Sequence, residues 1–112
     1  MNEAERSEYQ TDFERDGFVI ARGLFSEQEC AAYIKHYMDL RHAGSYPGDS
    51  IGVDLGDETD PLRQYPRMIH MHRWDEMSLR WLIDPRLGQV MTACLGREAF
   101  AVQTMLYFKP AG

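Results

Sequence analysis

Hydrophobic positions recur at helical spacing through much of this chain. Over residues 5–16, Tyr9 and Phe13 stand four apart on one face of an otherwise polar segment, which predicts a helix ended by Gly17. Phe18-Val19-Ile20-Ala21 follows as a short apolar run and predicts a buried strand over 18–21. Gly23-Leu24-Phe25-Ser26 then leads into a helix over 26–41. Ser26 and Glu29 have the spacing of a capping box, in which hydroxyl and carboxylate each satisfy a backbone N–H of the first turn. Phe25, just before the cap, is placed to staple onto Cys30 or a neighbour. Cys30, Tyr33, Ile34, Tyr37, Met38 and Arg41 continue at helical spacing as the inner face.

The pattern breaks over 43–66, where glycines, prolines and five acids (Asp49, Asp54, Asp57, Glu58, Asp60) predict a long acidic loop. Trp74, Met77, Trp81 and Leu82 restore the helical stripe and predict a helix over 75–83. Asp84-Pro85 ends that helix and opens another over 85–95, with Asp84 as cap and Pro85 at the first position. Leu87, Val90, Met91, Cys94 and Leu95 form its stripe, and Gly96 is its C-cap.

Residues 99–109 change to the two-residue period of a strand. Phe100, Val102, Thr104, Leu106 and Phe108 line one face; Ala101, Gln103, Met105, Tyr107 and Lys109 line the other. The even face is apolar and is expected to pack on helices. The odd face mixes amide, thioether, phenol and ammonium, the composition of a cavity wall rather than of a solvated surface. Such a strand needs sheet partners, and few are visible. The pattern therefore predicts an α+β N-terminal piece of a larger protein. The alternative is a complete small domain, non-catalytic, that binds a ligand or partner through Gln103–Lys109 and the loop.

Composition narrows the function. The chain has 112 residues, with 44% hydrophobic and 27% charged, which suits one globular domain. Its net charge of −6 disfavours nucleic acid as a partner. No apolar run has the length of a membrane span, and the polar N-terminus is neither a signal nor a transit peptide. Cys30 and Cys94 form no disulfide framework and no zinc spacing; on apolar helix faces they are expected to be buried thiols in a reducing, cytoplasmic setting.

Candidate chemistry is sparse. His70 and His72, two apart, would share a face in an extended strand, but a shared metal needs a third ligand. No histidine is followed two positions on by Asp or Glu, the usual first pair of a two-histidine, one-carboxylate iron site. Residues 54–60 do not match a calcium loop, and no phosphate-binding glycine loop or nucleophile elbow is present. Arg67, beside Met68-Ile69-His70, is a guanidinium suited to an anionic ligand. Lys109, at the end of the mixed strand face, is placed to pair with a substrate carboxylate.

Three stretches, in order, carry a likeness. They are Phe13-Glu14-Arg15-Asp16-Gly17-Phe18-Val19-Ile20 with Gly23-Leu24-Phe25-Ser26, then Ile83-Asp84-Pro85-Arg86-Leu87 through Leu95-Gly96, then Gln103-Thr104-Met105-Leu106-Tyr107-Phe108-Lys109-Pro110. Together they resemble the N-terminal portion of the phytanoyl-CoA dioxygenase family, oxygenases that depend on iron(II) and 2-oxoglutarate. The resemblance implies that the chain contributes N-terminal helices and the first strands of a double-stranded β-helix, a cupin-like jelly roll. It implies a small-molecule substrate, and a parent enzyme whose iron ligands lie in the rest of the domain, C-terminal to Gly112. This chain alone would then hold neither cofactor stably, and would supply no catalytic and no metal-binding residue. The cosubstrate and substrate face would include Gln103, Met105, Tyr107 and Lys109, with a further contact near Met68 or His70. The family often has Asn at the Tyr107 position, so a hydrogen bond there would come from a phenol instead.

Overall fold

The computed structural model describes residues 1–43 and 67–109. Nearly all of the expected acidic loop, and Pro110 of the last motif, lie outside the described residues. Four α-helices and two short strands are present among the described residues: α1 (Glu3–Asp16), α2 (Glu27–His42), β1 (Arg67–Ile69), α3 (Glu76–Leu82), α4 (Pro85–Leu95) and β2 (Met105–Tyr107). A single turn of 3₁₀ helix, Met71–Arg73, follows β1.

Local chemistry sets the helix ends. Asn2 caps α1 by accepting from the Glu5 N–H at 2.9 Å, while the Glu5 carboxylate accepts from the Asn2 N–H. Gly17 closes α1 with φ 79°, a left-handed conformation that glycine adopts without a Cβ clash. The capping box of α2 forms between Ser26 and Glu29, with bonds of 2.7 and 3.1 Å. Asp75 caps α3 through the Ser78 N–H, and Asp84 caps α4 through the Arg86 N–H. Gly96 ends α4 with φ 69°.

β1 and β2 pair antiparallel, with Arg67 opposite Tyr107, Met68 opposite Leu106 and Ile69 opposite Met105. The side chains therefore sort into two faces. Met68 and Leu106 share one face; Arg67, Ile69, Met105 and Tyr107 share the other. The core joins the helix-side face to α2: Tyr37, Met68, Met71 and Phe108 are buried together, with Tyr33, Met38, Trp74 and Trp81 packed around them. A second buried group, Val90, Ala93 and Cys94, belongs to α4.

Several expectations need correction. Residues 18–21 form no strand, and Phe18 and Ile20 are 63% and 61% exposed, because among the described residues no strand pairs with them. The strand expected over 99–109 shortens to Met105–Tyr107, the length that β1 offers for pairing. Its helix-side face holds at Leu106 and Phe108, but Phe100 and Val102 are 88% and 78% exposed. The inner face of α2 is narrower than its stripe: Ile34 is 66% exposed and Cys30 is exposed, so only Cys94 is a buried thiol. The Phe25 ring stands edge-on to Tyr33 and Trp81, with ring centroids 6.2 and 6.5 Å away. Among the described residues no helix is long and apolar enough to cross a membrane.

Candidate functional site

The residues singled out from the sequence do not converge on one point. Tyr107 and Lys109 line a cavity of about 480 Å³ between α2 and β2. Its walls are mostly apolar and aromatic: Tyr33, Ile34, Met38 and Trp81 on the helix side, Leu106 and Phe108 on the strand side. Tyr33 and Trp81 stack with centroids 4.7 Å apart and an interplanar angle of 21°, which makes a flat aromatic surface. Two cations belong to the lining, Lys109 and Arg41, and the Arg41 guanidinium stands 5.3 Å from the centre of the Phe108 ring. Arg41 ends the apolar stripe of α2, so its place at the cavity was readable from helical spacing; that its partner surface would be the end of β2 was not.

Gln103 and Met105 line a smaller cavity of about 200 Å³, with Met71, Thr104 and Trp81. The Trp81 indole borders both cavities. Antiparallel pairing brings Arg67 beside Tyr107 and Ile69 beside Met105 on the open face of the sheet. Arg67 thus joins the mixed face that alternation assigned to 103–109.

Met68 does not share that face. It is 1% exposed and packs on Tyr37, Met71 and Phe108, because its place in β1 turns it to the helix side. His70 departs from strand geometry, although its N–H still donates to the Thr104 carbonyl at 2.9 Å: it has φ 60° and ψ 33°, the one left-handed non-glycine residue among those described. The strand geometry that would align His70 with His72 is therefore absent. The two rings stand 5.9 Å apart and nearly perpendicular. His72 Nδ1 lies 2.9 Å from Thr104 Oγ1, so this imidazole is tied to the residue before β2. The Nδ1 of His70 is buried and has no hydrogen-bond partner among the described residues. No group of three or more His, Cys, Asp or Glu is placed to hold a metal ion among the described residues.

A polar relay supports the cavity from behind. Tyr37 Oη lies 2.6 Å from Ser78 Oγ, and Ser78 Oγ donates to Asp75 Oδ2 at 2.5 Å. Both carboxylate oxygens of Asp75 also receive His36 Nε2, at 3.0 and 2.9 Å. Burial alone would push the Asp75 carboxyl up, but hydrogen bonds from Ser78 and His36 outweigh it and hold the group below the usual carboxylate range. Burial pushes the Tyr37 and Tyr33 hydroxyls up, so both keep their protons at neutral pH. Ser78, fully buried, carried no signal in the sequence, because a serine inside a helix is ordinarily a surface residue.

No family model matches the chain, and no solved structure matches it. Over 100 residues it is 30% identical to the ectoine dioxygenase of Sphingopyxis alaskensis. The match takes in 88% of this chain and 31% of that protein, so the chain spans about a third of the length of the curated relative it matches.

Proposed function

We propose that this chain is the N-terminal portion of an iron(II)- and 2-oxoglutarate-dependent oxygenase of the phytanoyl-CoA dioxygenase type, one that hydroxylates a small molecule. The observation that carries the reading is the likeness to ectoine dioxygenase across 88% of the chain. The exposure of Phe18, Ile20, Phe100 and Val102 supports it, since such surface is what a larger domain buries. The rest of the domain would extend the two-stranded sheet toward a jelly roll, and the same exposure weighs against a finished small binding domain.

The open sheet face fits the cosubstrate better than it fits the metal. Arg67 and Tyr107, opposite each other across the two strands, offer a guanidinium and a phenol to carboxylate oxygens, and a guanidinium binds carboxylate in a two-pronged geometry. The described residues do not assemble three iron ligands. What these residues would do is hold and orient an anionic cosubstrate. Ectoine, named by the relative, is the first substrate to assay.

The test is turnover by the full protein. With iron(II), oxygen and 2-oxoglutarate, succinate release is measured across ectoine and a panel of small molecules. Substrate-stimulated release supports the reading, and Arg67→Met then raises KM for 2-oxoglutarate about tenfold, the scale of one charge-assisted hydrogen bond. Absence of 2-oxoglutarate turnover under every condition, with the cosubstrate also failing to bind, overturns it.

A further inference from the structure

We draw no further inference here: the strongest candidate, the largely apolar cavity between α2 and β2 walled by Tyr33, Ile34, Trp81 and Phe108, carries none because nothing in the structure shows what covers it.

Discussion

Tyr37 donates its hydroxyl proton to Ser78 Oγ, across 2.6 Å in the middle of the core. The direction follows from the rest of the relay. Asp75 accepts from the Ser78 hydroxyl, so Ser78 has only an acceptor left for Tyr37. This one-way chain joins α2 to the cap of α3. Two variants read it differently. Ser78→Ala strands a buried donor and is expected to cost about 2 kcal/mol, while Tyr37→Phe leaves Ser78 still bonded to Asp75 and costs about 1 kcal/mol. The double variant loses less than the sum, because the shared bond is counted once. Urea unfolding of the four proteins measures all three values, and strict additivity would remove the bond from the account.

Asp75 gives the fold a specific acid limb. Its carboxyl is held below the ordinary 3.8, so the folded state binds its proton less readily than the unfolded chain does. That contribution is present in full well above pH 3.8 and is lost as pH falls through the lowered folded value. Asp75→Asn keeps a capping side chain but cannot accept His36 in the same charged form. Its stability is expected to fall less steeply than that of the parent between about pH 4 and pH 2. Parallel slopes in that window would place the acid sensitivity elsewhere.

The parts of the fold that were legible in the sequence are those fixed by short-range chemistry. Ser26 with Glu29, and Asp84-Pro85 with Gly96, declare the ends of α2 and α4 because every partner lies within a few residues. Residues 18–21 misled for the converse reason: an apolar run becomes a strand only when another strand pairs with it, and its own composition does not say whether one does. β1 went unread because three residues are too few for a period to emerge. The candidate face was half legible. Alternation placed Tyr107 and Lys109 together, but only the register of β1 against β2 could bring Arg67 to Tyr107 and take Met68 away from that face.

His70 carries two unfavourable features at one position. A left-handed backbone costs an L-residue about 1 kcal/mol or more, and its buried Nδ1 lacks a partner among the described residues. Glycine adopts this conformation without penalty and brings no polar atom with it. His70→Gly is therefore expected to raise stability by about 1 kcal/mol, net of the extra backbone entropy of the unfolded chain. Thermal or urea unfolding decides it. A less stable variant would mean that the imidazole gives more through packing on His72 than its backbone loses.

Arg86 ties two distant helix starts to each other. Its guanidinium donates to Glu29 at 2.7 and 3.0 Å and to Asp84 at 2.8 and 3.0 Å, reaches the Leu24 carbonyl, and lies 4.5 Å over the Phe25 ring. Glu29 belongs to the capping box of α2 and Asp84 caps α4, so one side chain reads the register between the two helices. Its hydrogen bonds are the largest cause holding the Glu29 carboxyl down at about 2, with the Ser26 backbone N–H adding to the effect. Arg86→Met removes the guanidinium and leaves the capping box in place. Carbon-detected NMR titration is expected to find Glu29 at about 2 in the parent, and in the variant moved upward but still short of its ordinary 4.5. Arg86→Lys should resemble the methionine variant more than the parent, since an ammonium cannot fork between two carboxylates and cover an aromatic ring at once. A Glu29 unmoved by either change would assign its low value to the cap alone, and α2 and α4 would then be held together by packing around Phe25.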